Sequence, residues 1–272
     1  MSAIVETLDQ KIESAAAWML TRPQGRANVR HLFYPGIYIR EMSAKAGSLI
    51  IGRVYREAQV NIMSKGVVAL LGEDGSFSRI AAPQVFLGKA TRKVACVIED
   101  MVWMNVFATD ERDVETLERM YLEESPALKA HLSLIEAHRD ESAYNAMLSE
   151  IGYTREQVQA MSERSDDLIP WPIGEYKVKI GDSAIAGKGL MATADITEGE
   201  IICHMRLGDK RTPAGRHVNH SDTPNAQMFI AAGNVYLRAL RAISGCVGGQ
   251  DGEEVTVDYR FAVELGRNLH HE

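Results

Sequence analysis

Cysteine is scarce in this chain of 272 residues, and long apolar runs are absent. Cys96, Cys203 and Cys246 are too few and too scattered for a disulfide framework or a zinc knuckle. No apolar run reaches the roughly 18–20 residues that are needed to cross a bilayer. The first twenty residues contain acids and have neither a basic leader nor an unbroken apolar core. We therefore expect no secretion signal and a cytoplasmic location.

A surplus of basic charge is also missing. The formal net charge is −7, from 37 acidic and 30 basic residues. A surface that binds nucleic-acid phosphates needs clustered Lys and Arg, so we predict no nucleic-acid partner and, without an apolar span, no membrane partner. Negative charge is compatible with a basic protein or peptide as partner. A composition of 46% hydrophobic and 25% charged residues is typical of a globular protein.

The hydrophobic periodicity divides the chain into four segments, and it predicts a mainly β fold with a helical connector. The first segment has apolar residues at helical spacing, which predicts an amphipathic helix. The second has short β-rich runs separated by turn residues, typical of a small antiparallel barrel or sandwich. The third is helical and ends in a linker with two prolines, and the fourth returns to strands. The segments are 1–30, 31–109, 110–172 and 173–272.

Three motifs appear in order within the last segment. They are SAIAGKGLMATADITEGEII, then RHVNHSDTPN, then GEEVTVDY. A lone Gly-x-Gly is a weak signal because glycine pairs mark many turns, but all three blocks in this order are specific. Over about residues 183–261 the chain resembles the SET domain family of protein lysine methyltransferases. The resemblance implies the SET β-fold, with a pseudoknot-like crossing that would bring residues 219–220 and 259 together.

The resemblance also implies S-adenosylmethionine as cofactor and a protein or peptide bearing lysine as substrate. Glycines 187 and 189 would let the backbone approach the ligand, and an asparagine amide offers two donors and an acceptor. Arg216 would pair with the cofactor carboxylate or brace its own loop. The candidate cofactor-binding residues are Gly187, Lys188, Gly189, Arg216, Asn219 and His220.

Tyr259 matches the family's tyrosine at the methyl-transfer channel and is the candidate catalytic residue. Methyl transfer requires a neutral amine aligned with the donor in a dry channel, and a tyrosine hydroxyl can orient that amine. The chain departs from the family at several channel positions and lacks the C-terminal zinc-binding cysteines. Closure would then come from Phe261, the helical segment or a second subunit. The candidate channel residues are Arg206, Met228, Phe229, Tyr236, Val257 and Phe261.

The second segment carries a weaker pattern. Gly47, Arg53, Tyr55, Gln59 and Gly66 fall at the spacing of the cupin motif, and VNIMSKGVVAL resembles small cupin-like proteins of bacteriophages. The three positions that would ligate a metal are poor transition-metal ligands, so we expect no metal. The resemblance implies a cupin-like β-barrel used for oligomerisation or for holding a partner.

These observations favour a cytoplasmic methyltransferase of the SET type. The phage resemblance leaves open that it is phage-encoded and acts in a bacterial host. One alternative is a binding or structural protein, such as a virion component, whose SET fold no longer catalyses methyl transfer. Arg206 and Val257 leave this alternative open, because they depart from the family's pattern at channel positions. Another is a sugar- or metal-binding cupin enzyme, which would contain metal.

Overall fold

A computed structural model of the protein describes residues 7–123, 142–248 and 250–263. Part of the predicted N-terminal helix and residues 124–141 of the predicted helical segment lie outside these ranges. Among the described residues, no helix is long and apolar enough to span a membrane. The helices are α1 (Leu8–Leu20), α2 (Val114–Tyr121), α3 (Ser142–Ile151), α4 (Arg155–Glu163) and α5 (Pro213–His217).

The predicted N-terminal helix is present over its described part. Thr7 caps α1 through a capping box with Gln10, which satisfies two backbone donors at the helix start. The side chains of the predicted apolar stripe that are least exposed lie at helical spacing; they are Leu8, Ile12, Ala16 and Met19. This side of the helix is only partly covered by the rest of the protein, since none of the described residues of α1 is fully buried.

The N-terminal segment forms an eight-stranded antiparallel sheet, here called sheet I. Its strand order is β5-β4-β7-β2-β1-β8, with β3 beside β7 and β6 beside β4. Along β7, alternate side chains from Met101 to Phe107 are buried, as expected for a strand with one face on a core. The strands are β1 (Asn28–Tyr34), β2 (Ile37–Ala44), β3 (Leu49–Val54), β4 (Gln59–Leu71), β5 (Phe77–Ala81), β6 (Gln84–Gly88), β7 (Arg92–Ala108) and β8 (Gly174–Tyr176).

Gly66 explains how β4 remains one strand although its sequence reads as two apolar runs. The residue has φ +87°, and a Cβ there would collide with the backbone carbonyl of Asp100 on β7. The pairing register of β4 with β7 shifts at Gly66, between Lys65 and Val67. Only glycine fits this close approach, so the strand bends without ending.

The C-terminal segment forms two four-stranded sheets. Sheet II has the order β13-β16-β10-β9, and sheet III has the order β12-β11-β15-β14. The pairing of β13 with β16 is parallel, whereas the other pairs of both sheets are antiparallel. The strands are β9 (Val178–Asp182), β10 (Lys188–Ala192), β11 (Ile201–Leu207), β12 (Lys210–Arg211), β13 (Asn219–His220), β14 (Ala226–Ala231), β15 (Asn234–Ala239) and β16 (Glu254–Val257).

The predicted boundary between residues 172 and 173 is bridged by backbone pairing. Strand β8 lies just beyond that boundary, yet it pairs with β1 of sheet I, with Tyr176 opposite His31. Thr193 also donates its hydroxyl to the carbonyl of Val29 at 2.6 Å. One hydrophobic cluster contains Phe33 of sheet I, Leu117 of α2 and Leu190 of sheet II. The N-terminal and C-terminal segments therefore share a core.

Helix α2 adds ion pairs between the N-terminal and C-terminal segments. Glu118 contacts Arg53 of β3 at 3.0 Å and Lys179 of β9 at 3.4 Å, and Lys179 also contacts Asp251 at 3.1 Å. Burial alone would raise the pKa of Glu118, but the Lys179 and Arg53 cations lower it below its ordinary value. The carboxylate therefore stays ionised and links the two segments.

Candidate functional site

The loop before β10 carries the Gly-x-Gly pair, and its two glycines serve different purposes. Gly187 has φ +51°, and the position where its Cβ would stand has no atom within 4 Å. The corresponding position at Gly189 is occupied by the carboxylate of Glu254, which a Cβ would overlap. Internal packing therefore favours glycine at 189, and the approach of a ligand to the backbone there stays a prediction. The open side of the loop is at Gly187.

Asn219 is the point at which the three motifs meet. Its side chain is 6% exposed. Its Nδ2 donates to Ala186 O and Lys188 O, each at 3.1 Å, and to Glu254 Oε1 at 2.7 Å. Ser183 Oγ accepts from the same nitrogen at 2.9 Å and donates to both Glu254 oxygens at 2.8 Å. The nitrogen therefore holds the loops together, and Oδ1 is the side-chain atom with capacity for a ligand.

His220 and Tyr259 lie side by side, because β13 runs parallel to β16. The ring of His220 is buried; its Nδ1 accepts from the backbone N–H of Tyr259 at 3.2 Å, and its Nε2 lies 3.2 Å from Asp222. The hydroxyl of Tyr259 donates to the carbonyl of Val218 at 2.8 Å. Its proton is thereby committed to Val218, while a hydroxyl oxygen keeps lone pairs that can accept from an amine. The predicted proximity of residues 219–220 and 259 is present.

Positive charge collects beside this junction. Arg216 lies on α5, and its Nε is buried without a hydrogen-bond partner among the described residues. Burial, helped by the Arg216 charge, lowers the pKa of His217 to about 4. Burial alone would lower the pKa of Lys188, but its contacts with Asp182 at 3.0 Å and Glu115 at 3.3 Å raise it. Of the cations beside the junction, Arg216 is the one with a buried donor, Nε, that has no partner among the described residues.

A cleft of about 340 Å³ opens at the end of β16, next to Tyr259 in sequence. Three predicted channel residues line it, namely Met228, Val257 and Phe261. The Asp258 carboxylate lies at the same cleft, whose other walls are mostly apolar. The complete lining is Pro224, Ala226, Gln227, Met228, Leu240, Val257, Asp258 and Phe261.

The other three predicted channel residues lie elsewhere. Phe229 is opposite Tyr236 across β14 and β15, with the two rings stacked at 5.4 Å. Phe229 does not belong to the lining of the cleft that Met228 lines. Arg206 pairs with Asp167 at 3.6 Å and donates to the carbonyl of Asp209 at 2.7 Å. It therefore braces the linker and does not repel a ligand in this cleft.

Arg260 connects the helical segment to the motif loops. Its guanidinium pairs with Glu150 of α3, Asp222 at 2.9 Å and Asp258 at 3.4 Å. The hydrogen bonds with Arg260 lower the pKa of both Glu150 and Asp222. Arg260 therefore links α3 to Asp258, which lines the cleft, and to Asp222 of the second motif.

Two of the cupin-motif positions of sheet I bond to other protein side chains. Arg53 bonds to Glu118 at 3.0 Å, and the hydroxyl of Tyr55 donates to Asn105 Oδ1 at 2.9 Å. Gln59 is buried. Within the described ranges, no group of three or more His, Cys, Asp or Glu side chains is placed to hold a metal ion.

Sequence reasoning missed two residues of the motif junction, Glu254 and Ser183. Glu254 lies in the GEEVTVDY block and Ser183 opens the first block, so both were inside the motifs. Neither has a spacing that marks it as buried. The one available signal was the carboxylate and hydroxyl themselves, since a carboxylate that is partly withdrawn from water needs hydrogen-bond donors nearby.

Comparison with known proteins gives limited information. No protein-family model matches the chain, and no curated protein matches it. Among solved structures, a cupin-family protein with a double-stranded β-helix fold from Methanocaldococcus jannaschii is 16% identical, covering 31% of this chain and 82% of its own, with a TM-score of 0.27. A cupin-superfamily protein from Desulfitobacterium hafniense is 12% identical, covering 33% and 83%, also at 0.27.

An acetylacetone dioxygenase from Acinetobacter johnsonii is 14% identical, covering 32% of this chain and 63% of its own, again with a TM-score of 0.27. The similar solved structures are thus cupin-like proteins that cover about a third of the chain. We base no functional conclusion on these likenesses, because their TM-scores lie below 0.5.

Proposed function

We propose that the protein is an S-adenosylmethionine-dependent methyltransferase of the SET type that methylates lysine on a protein. One observation supports this most strongly. The side-chain amide of Asn219, in the second motif, bonds to Lys188 O of the first motif and to Glu254 of the third. Three distant blocks that resemble the family's motifs therefore form one junction.

The side chains around this junction suit the proposed cofactor. A methionine carboxylate needs a cation, and the buried Nε of Arg216 is unpartnered among the described residues. Open space at Gly187 leaves room for a ligand beside the backbone. Asn219 Oδ1 can accept from an ammonium group. When bound, S-adenosylmethionine supplies an electrophilic methyl group on a sulfonium.

The cleft supplies what the acceptor lysine needs. An unperturbed lysine has a pKa of about 10.4 and must lose its proton before it acts as a nucleophile. Met228, Val257 and Phe261 provide apolar walls, and a desolvated ammonium loses its proton more easily. Asp258 attracts the charged side chain to the cleft before that loss. Tyr259 then accepts a hydrogen bond from the neutral amine and orients its lone pair.

Calorimetric titration with S-adenosylmethionine tests the cofactor site. We expect saturable binding by the intact protein. Arg216→Met should weaken binding about 10- to 100-fold, the range for one lost charged hydrogen bond. Arg206→Met is the matched control and should bind as the unmodified protein does, because Arg206 contacts Asp167 of the linker and Asp209 of the turn after β11. Absence of saturable heat for the folded protein would exclude the proposal.

A binding or structural protein that retains the fold without turnover is the second candidate. Val257 favours it, because the position two before Tyr259, often aromatic in the family, is here a valine that is only 2% exposed. Such a protein would bind the cofactor or a peptide without labelling any protein. Cytoplasmic action in a phage-infected host and oligomerisation through sheet I stay predictions under either candidate.

A further inference from the structure

The cleft at the end of β16 has more room than one lysine side chain fills. Its volume is about 340 Å³. The heavy atoms of a lysine side chain take up about 150 Å³, at roughly the 30 Å³ that one water molecule occupies in the liquid. None of the candidate cofactor-binding residues belongs to the lining of the cleft, as the described residues define it. More than half of its volume is therefore available to another part of the substrate.

The walls of the cleft are mainly apolar. Six of its eight lining residues are apolar, and Gln227 and Asp258 are the polar ones. Leu240 and Phe261 are 44% and 36% exposed, so they present apolar surface to solvent beside the cleft. Covering such surface with a second apolar group is favourable, because it removes both groups from water. A large apolar side chain therefore suits the volume that the lysine leaves free.

Among the described residues that line the cleft, Asp258 is the one with a charge. Its Oδ1 accepts from the backbone N–H of Arg260 at 2.9 Å and from the Arg260 guanidinium at 3.4 Å. Both hydrogen bonds use Oδ1, so Oδ2 can accept from the ammonium group of an arriving lysine. A second charged side chain would lose water against apolar walls without a counterion of its own, which is unfavourable. The cleft therefore disfavours a charged residue close to the acceptor lysine.

Resting on the proposed function, we propose that the cleft selects its protein substrate by two side chains. One is the acceptor lysine, and the other is a large apolar side chain, such as Leu, Met or Phe, within two residues of it. Two residues of extended chain span about 7 Å, so both side chains can enter one cleft. Leu240 and Phe261 contact the apolar side chain and determine specificity. The substrate class is a lysine beside an apolar residue, which the net charge of −7 alone does not indicate.

Peptide selection tests this inference by binding, so the test does not depend on turnover. The full-length protein is immobilised with S-adenosylhomocysteine, which has no methyl group to transfer, and is exposed to peptides with one fixed lysine and varied neighbours. Mass spectrometry identifies the retained peptides. We expect Leu, Met or Phe within two residues of the lysine to raise retention at least about 10-fold over Asn or Ser there, as burial of one apolar side chain predicts.

Leu240→Asn is the diagnostic variant, and Leu87→Asn is its matched control. Leu87 is 72% exposed on β6 of sheet I and does not line the cleft. The preference should fall to within about twofold in Leu240→Asn and stay unchanged in Leu87→Asn. Phe261→Asn is the second cleft variant and should weaken the preference in the same direction.

Three results would overturn the inference. They are equal retention of peptides with apolar and polar neighbours, a preference for a charged neighbour, and an unchanged preference in the folded cleft variants. Failure of the proposed function would look different. A protein that keeps the apolar preference but transfers no methyl group from S-adenosylmethionine to the selected peptides has this binding site and is not a methyltransferase. Methylation of peptides without regard to their neighbours would support the proposed function and contradict the inference about the cleft.

Discussion

The two halves of the molecule use buried asparagines differently. In sheet I, Asn61 bonds to Trp103 and Asn105, which lie on the strand beside it. In the C-terminal segment, Asn219 bonds to groups that lie 31 to 36 residues away along the chain in both directions. The first arrangement stabilises a sheet that its own strands define. The second joins loops that would otherwise be independent, and it therefore defines a site.

The sharpest test of this difference compares Asn219→Ala with Asn61→Ala. Each variant leaves buried polar groups without a partner, and each should lower the free energy of unfolding by about 2–4 kcal/mol. Cofactor binding should separate them. We expect Asn219→Ala to weaken S-adenosylmethionine binding by about 100-fold or more in calorimetric titration, and Asn61→Ala to leave it within about twofold. If Asn219→Ala and Asn61→Ala both fold and lose cofactor binding to the same extent, the proposed difference between the two asparagines is wrong.

The two glycines of the first motif give the next largest effect. At Gly189 an added methyl group would overlap the Glu254 carboxylate, so Gly189→Ala should destabilise the protein by about 2–3 kcal/mol. At Gly187 the same change meets no atom and costs about 1 kcal/mol for its positive φ. Urea denaturation measures both. If Gly187→Ala proves the more destabilising, the space on that side of the loop is not open.

The stability of both halves should depend on pH through one buried histidine each. Burial lowers the pKa of His31 to about 3 in sheet I, and burial lowers that of His217 to about 4 beside the C-terminal site. Below pH 6.5 the unfolded chain takes up protons that the folded chain does not. The free energy of unfolding should therefore fall as the pH drops from 6.5 towards 4.

Denaturation at several pH values with His31→Gln and His217→Gln checks this expectation. Each variant should show a shallower loss between pH 6.5 and 4.5 than the unmodified protein. An unchanged slope in either variant would mean that the histidine in question titrates normally in the folded state.

The smallest effect is expected at Arg260, which links α3 to the motif loops through exposed pairs. Arg260→Met should lower the free energy of unfolding by less than about 1 kcal/mol, because exposed ion pairs are screened by water and salt. The difference should shrink further between 0.05 M and 0.5 M salt. A large and salt-independent loss would show that the arginine is needed for packing.

Strands were the part of the fold that the sequence predicts best. The runs GIYIREM, AQMFIAA and EEVTVDY each fall on a strand, because short runs of β-favouring residues between turn residues are typical of strands. The joining of VNIM to VVALLG in β4 was not predicted, since glycine usually punctuates a run and Gly66 instead forms a bulge. A strand of two residues, such as β13, is too short to show a hydrophobic periodicity in the sequence.

The site was predictable only in outline. The resemblance brought Asn219 and Tyr259 together, which spacing alone could not do across 40 residues of chain. It assigned Phe229 and Tyr236 to a channel, but neither residue belongs to the lining of the cleft that Met228 lines. Their channel role stays a prediction, because a resemblance fixes a residue's place in the chain and not the position of its side chain.

Transfer of labelled methyl groups from S-adenosylmethionine to proteins of a bacterial lysate tests the central claim most directly. We expect label on lysine of at least one protein, located by mass spectrometry of the modified peptide. Tyr259→Phe should reduce the rate of labelling at least about 10-fold while cofactor binding stays nearly intact. Binding of the cofactor without any labelled protein, or equal labelling by Tyr259→Phe, would contradict the account.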